Sequence, residues 1–347
     1  MGDYPHMALR AVREHAAAKS EEAQEQLDAA CRPYAIDARE LIQSVLAAPI
    51  TVNFHVDRLS GNGKTIIENL LQEGRYHSQF RTGTTNGGKS AYPGGDRFLW
   101  EQRIFHDTYP QGVIDRPKYG ALNIFRHIDG AAPRFGACFF VLHPKVVERC
   151  TFAYGDSATN PATLCTHDTF AVVLAMALED VRKRGRLLNR VIAWEQEALA
   201  ILMYPVWKGN DMGRSLESGY IETHIHGDVL LERDVDALFV DVSYQNTPFA
   251  EQVERLCEAY RIELRWIPER QIEVTAIGEI FRGPMIPPLA RKIDVDFGQS
   301  RGILDAALIG QASRDISLYP ERWKWLGNEA ELFQAIKQLW HTVAFFG

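Results

Sequence analysis

Pro49-Ile50-Thr51-Val52-Asn53-Phe54-His55-Val56-Asp57-Arg58 is the stretch at which the chain changes character. Before it, residues 1–48 are rich in Ala and Glu, with apolar residues at helical spacing: Leu9, Val12 and Ala16, then Leu27 and Ala30, then Leu41, Ile42 and Val45. That spacing predicts two or three short helices, interrupted at Pro33. Within the stretch, Ile50–Phe54 reads as a strand that ends on polar side chains. After it, helical periodicity is brief, and Gly, Asn, Pro and aromatics dominate to about residue 160. Thr65–Gln72 predicts a helix, with Thr65 capping, Glu68 three residues on and Gly74 as the stop. From Gly83 to Ala121 the pattern is irregular, yet Tyr92, Phe98, Trp100, Phe105 and Tyr109 argue for order, because disordered segments are poor in aromatics.

Further along, Phe135–Leu142 reads as a buried strand, and Phe170–Lys183 and much of Leu187–Met203 as helices. Tyr220–His226 and Ala237–Val242 read as strands. The second leads through a helix, Pro248–Tyr260, to a strand at Ile262–Ile267, the spacing of a crossover unit. The tail from Pro284 is mixed and ends in a helix over Glu329–Phe345.

Bulk properties set limits. At about 150 residues per domain, 347 residues predict roughly two domains. With 38 Lys+Arg against 45 Asp+Glu the net charge is −7, which argues against nucleic acid held by bulk electrostatic attraction. A charged fraction of 24% excludes wholesale disorder. Five cysteines, at 31, 138, 150, 165 and 257, form no CxxC pair and read as small buried hydrophobes. No run approaches 18 apolar residues, and MGDYPHMALRAVREH has no signal-peptide core, so a soluble chain from a reducing compartment is expected.

Several familiar motifs fail on inspection. Ser60-Gly61-Asn62-Gly63-Lys64-Thr65 invites a P-loop reading, but Arg58 stands where the phosphate cradle needs its first Gly. The GxGxxG dinucleotide fingerprint and the G-x-S-x-G elbow are both missing. His224 and His226 project from one face of a strand, a spacing that suits a metal or a pair of structural histidines. What remains is a series of polar clusters between residues 51 and 227. Arg58, Arg81, Arg97, Arg116 and Arg134 fall among them, and guanidinium forks suit an anionic ligand such as a pyrophosphate.

These clusters resemble a bacterial family catalogued as a domain of unknown function, with the pattern NFHPDR, SQFETG-SNGG, AYPGGDR, RPKYGALN, APRFG and YIExxxHG. The matching stretches are Asn53–Arg58, Ser78–Gly88, Ala91–Arg97, Arg116–Asn123, Ala132–Gly136 and Tyr220–Gly227. Val56, Arg81 and Thr85 depart from it, in place of Pro, Glu and Ser. The family is similar to the CteC-type effectors that ADP-ribosylate a threonine of host ubiquitin. That resemblance implies an α+β fold: a mono-ADP-ribosyltransferase-like split β-sheet core over 49–283, with a helical N-terminal segment (1–48) and a mixed, helical C-terminal extension (284–347). It implies NAD as co-substrate, ubiquitin as protein partner, no nucleic acid and no membrane. It also implies synthesis in the bacterial cytoplasm and export to the host cytosol without a cleaved signal peptide.

Residue by residue, the resemblance makes His55, Arg58 and Glu222 catalytic. Asn53, Tyr76, Ser78, Gln79, Phe80, Thr82, Asn86, Arg116 and Tyr119 are its cofactor-binding set. His55 and Arg58 end the first strand, Ser78-Gln79-Phe80 and Thr82 form a Ser/Thr-rich second strand, and Glu222 lies on a late strand. Arg58 would meet the pyrophosphate and His55 the adenosine ribose or a phosphate, while Phe80 or Tyr76 would stack on nicotinamide. Glu222 would orient the ribose 2′-hydroxyl and stabilise developing positive charge. Tyr220 stands where arginine-modifying relatives carry a second acid, which favours a hydroxyl acceptor. Competing expectations are a solvated Glu222 on an edge strand, a metal-dependent hydrolase built on His224 and His226, and a non-catalytic nucleotide-binding module.

Overall fold

The computed structural model describes residues 3–83, 91–159, 163–203, 214 and 219–347. Eight strands form one mixed sheet: β1 (Ile50–Phe54), β2 (Lys118–Leu122), β3 (Cys138–Leu142), β4 (Cys150–Tyr154), β5 (Leu164–Thr166), β6 (Ile221–Ile225), β7 (Val235–Asp241) and β8 (Glu263–Ile267). Their order across the sheet is β8-β7-β3-β1-β2-β6-β4-β5. Every neighbouring pair is antiparallel except β7 and β8, which run parallel through the expected crossover helix, Pro248–Tyr260. Helices gather at both ends of the chain. They are Tyr4–Cys31 (α1) and Ala38–Leu46 before the sheet, then Ile286–Asp296, Ala306–Leu318 and Glu329–Phe346 after it. Among the described residues no helix is long and apolar enough to cross a membrane.

The two faces of the sheet differ because side chains alternate along each strand. Val52, Phe140, Phe152, Ile221, Ile225, Leu238 and Val240 fill one face and are buried in the main core. The other face carries a polar row. Glu222 stands opposite Ala121 and Ala153, and His224 opposite Tyr119 and Thr151. Directly opposed residues on neighbouring strands share a face. The small alanines leave space above Glu222.

The C-terminal helices lock onto the end of β1. Asp57, just past that strand, is fully buried and accepts from Arg58 Nη1 at 2.9 Å and from Arg314 Nη1 at 2.8 Å. The approach works because residue 310 is glycine: a Cβ there would lie 1.5 Å from Asp57 Oδ2. The last helix is held by Trp340 Nε1, which donates to Pro133 O at 2.8 Å, and by the Arg270 guanidinium, which donates to Ala344 O and to Asp129.

Several expectations need correction. The N-terminal region is one helix of 28 residues, then a 3₁₀ turn at Arg32–Tyr34 and a short second helix, rather than a set of short helices. Ala8, Val12, Ala16, Ala23 and Leu27 keep a single buried stripe along α1, so packing holds the whole length together. Leu187–Met203 is helical only from Glu195, because Arg186–Leu187 and Arg190–Val191 pair as a small hairpin. The irregular stretch contains a helix, Asp96–Ile104, as well as β2. Most consequential, Gln79–Thr82 is a single helical turn and not a second strand. Gly83 closes it with φ 70°, and Gly61 N ties Thr82 O at 2.8 Å. Glu222 is not on an edge strand either, since β2 and β4 flank β6 on both sides.

The Gly310 approach predicts that Gly310→Ala lowers stability by about 2 kcal/mol, the scale of overpacking at a tight contact. A urea midpoint unchanged from wild type would contradict it.

Candidate active site

A cavity of about 470 Å³ opens beyond the end of β1, within the size range of small-molecule sites. Phe54, His55 and Arg58 form one wall, Tyr76, Gln79 and Thr82 another. Arg134 and the two last helices, through Ser313, Phe333, Lys337 and Trp340, close the rest. Among the described residues four cations, Arg58, Arg75, Arg134 and Lys337, line it against one acid, Glu329. An anionic ligand fits that balance.

His55 is 3% exposed, and its Nδ1 has no hydrogen-bond partner among the described residues. Its ring stands edge-on to Trp340, centroids 4.9 Å apart. Burial, and then the charges of Arg58 and His341, hold His55 well below the usual imidazole range. The glycine turn at residues 60–65 makes no phosphate cradle. The first amides of the following helix, Ile66–Glu73, are already used, Ile66 N by Arg58 O and Ile67 N by Val56 O, both at 2.9 Å. Thr65 and Glu68 complete a capping box there.

Glu222 lies outside the lining of this cavity, on the polar row of the sheet, and is 5% exposed. Its carboxylate accepts from Ser157 N at 2.7 Å and from His224 Nε2 at 3.2 Å. A single run of donors satisfies the row behind it. Tyr109 OH donates to His226 Nδ1 at 2.8 Å, His226 Nε2 to Thr151 Oγ1 at 3.1 Å, and Thr151 Oγ1 to His224 Nδ1 at 2.9 Å. Burial by itself would raise the Glu222 carboxyl, but the contacts of His224 and Ser157 outweigh it and hold Glu222 below the usual carboxylate range. All four ring nitrogens of His224 and His226 are therefore engaged within this row. Among the described residues no group of three or more His, Cys, Asp or Glu is placed to hold a metal.

The Asp156–Ser157 corner joins the two regions. Asp156 Oδ2 accepts from Arg134 Nη2, a cavity residue, at 3.1 Å and from Tyr220 OH at 3.3 Å, while the next amide holds Glu222. Arg97 also lies between them, its guanidinium 4.5 Å from the Tyr119 ring centroid and 4.7 Å from that of Trp100.

The expected site residues thus divide. His55, Arg58, Tyr76, Gln79 and Thr82 meet in the cavity, and Glu222 and Tyr119 stand on the polar face. Tyr119 OH donates to Glu101 at 2.9 Å. Arg116 faces neither region. Its guanidinium is buried, donates to Glu101, Val113 O and Tyr109 O, and lies over Phe80 and Phe98 at 4.7 Å. Phe80 is thereby a packing ring for Arg116. Ser78 donates to Ile114 O, and Asn53 to Asp129 O and Gly136 O, so both brace loops. Asn86 lies outside the described residues. Arg134 stands among the arginines that the sequence already marks as suited to an anion, whereas Lys337, Trp340 and Thr151 carry no local signal.

The fold and site define a mixed α/β protein with a cationic cavity beside a buried, ionised glutamate. The chain belongs to the family described as a protein of unknown function, DUF3626, whose pattern matches residues 49–346. No curated protein matches the chain.

Two outcomes test this geometry. Thr151→Val leaves two buried imidazole nitrogens without partners and should cost about 2–3 kcal/mol by urea denaturation; a cost within error of zero would break the proposed row. His341 is held down at about 3, first by burial and then by Arg134 and Lys337. Unfolded, it titrates near 6.5, so below that pH the unfolded chain binds a proton that the folded chain does not, and stability falls with pH. His341→Gln should flatten this fall by up to about 1.4 kcal/mol per pH unit between about pH 6 and 4. Parallel urea midpoints for the two proteins would contradict a neutral His341.

Proposed function

We propose that this protein is an NAD-dependent mono-ADP-ribosyltransferase that modifies a protein hydroxyl, with a threonine of host ubiquitin as the acceptor. The observation that carries this reading is the corner at Asp156–Ser157, which joins a cavity suited to a diphosphate to a glutamate kept ionised although buried. NAD supplies a positively charged leaving group, nicotinamide, whose departure leaves positive character at the ribose. Arg58 and Arg134 hold the diphosphate, and the buried His55 offers its unpartnered Nδ1 to an adenosine hydroxyl. Tyr76, packed edge-on to Phe140, presents an aromatic surface for a flat ring. Glu222, joined to the cavity wall through the Asp156–Ser157 corner, is the carboxylate that would stabilise the developing charge, and the donor row from Tyr109 to His224 keeps it oriented. The products balance as nicotinamide, an O-linked ADP-ribose and one proton.

In this reading β1 and β6 are the first and late strands of a transferase core. The segment 49–283 carries the reaction, with residues 1–48 as a buttress, and the protein acts after export into a host cytosol. The fully engaged imidazoles of His224 and His226 favour this over a metal-dependent hydrolase.

Incubation with labelled NAD and ubiquitin should transfer label to ubiquitin and release nicotinamide. Glu222→Gln should lower that turnover by about 100-fold or more while NAD binding persists. Wild-type protein that neither labels ubiquitin nor cleaves NAD sinks the reading. Unchanged turnover in Glu222→Gln assigns the chemistry to another residue.

A further inference from the structure

The last helix, Glu329–Phe346, turns a single stripe toward the cavity. Phe333, Ile336, Lys337 and Trp340 recur at helical spacing, and all four line it. Three of these are apolar, so the lone cation among them calls for an explanation. Lys337 is partly buried, and among the described residues no carboxylate forms an ion pair with it. Asp156, an acid whose charge favours its ammonium, is already bonded to Arg134 and Tyr220 OH. The charges that oppose it, those of Arg134, Arg97 and Arg282, come from three separate loops and helices. Arg134 itself has a buried Nε with no hydrogen-bond partner among the described residues. Cations gathered in a half-buried wall repel one another unless an anion sits among them.

We propose that Lys337 and Arg134 form, beside Arg58, the anion-binding pair of this cavity and take with it the diphosphate of a nucleotide, so that the C-terminal helix is a wall of the ligand site. The assignment rests on the transferase reading for the identity of the nucleotide, and on the cavity alone for the anion. Phe333 and Trp340, one turn to either side of Lys337, supply an apolar surface for the base or ribose next to that diphosphate. The site is then shared between segments more than 200 residues apart, and ligand binding clamps the last helix against the sheet.

The test uses the full chain with ADP-ribose and, separately, inorganic pyrophosphate, followed by calorimetry and by thermal shift. Lys337→Met should weaken ADP-ribose binding about 10- to 100-fold, the worth of a charge-assisted hydrogen bond. Lys337→Arg should bind within a few-fold of wild type, and pyrophosphate should compete with ADP-ribose in wild type. A folded Lys337→Met protein that binds ADP-ribose as tightly as wild type overturns the proposal. Wild-type protein that binds pyrophosphate through Lys337 but binds neither ADP-ribose nor NAD keeps the anion pair and refutes the transferase reading. Wild-type protein that binds none of the three refutes both.

Discussion

A carboxylate in the middle of a sheet is expensive to bury, and the arrangement around Glu222 is what offsets that cost. Its charge is met by one backbone amide and one imidazole, and the imidazole is oriented by Thr151, then His226, then Tyr109. Each member satisfies its neighbour, as a buried polar row requires. The row also explains why β2 and β4 place alanines beside Glu222: larger side chains would fill the space through which the Ser157 loop reaches it. Structure on this face serves one charged group.

The second constraint is at the end of β1. A buried Asp57 binds Arg58 and Arg314 together, and the absence of a side chain at Gly310 lets the C-terminal helices reach it. That junction does two things at once. It fastens residues 306–346 to the sheet, and it sets Arg58 at the rim of the cavity that those same helices enclose. The family pattern extends to residue 346, through the helices that close the cavity. Cation excess there and ionised Glu222 nearby are opposite charges held apart by protein, linked at the Asp156–Ser157 corner.

Local chemistry was readable where neighbours in sequence are neighbours in space. The strand Ile50–Phe54 and the helix Pro248–Tyr260 have the expected bounds, and the Thr65–Glu68 capping box and the Gly74 stop close the helix between them as anticipated. The shared face of His224 and His226 follows from strand alternation alone. Gln79–Thr82 departs from the strand that the resemblance implied, because its conformation is decided by Gly83 and by a hydrogen bond from Gly61. Arg116 misled for a related reason: a guanidinium that could bind phosphate binds Glu101 equally well, and nothing in the local string says which partner is near.

Periodicity and capping by themselves marked five of the eight sheet strands, near residues 50–54, 138–142, 221–225, 235–241 and 263–267, and the crossover spacing between the last two. Each of these depends on contacts within a few residues. The α+β class and the candidate site residues came with the resemblance carried by short motif strings. Only the tertiary structure decided which arginines face a cavity, that Thr151 joins two histidines more than 70 residues away, and that Lys337 and Arg134 line the same cavity. Those pairings depend on how the strands order themselves across the sheet and how the last helices dock, which no local pattern encodes.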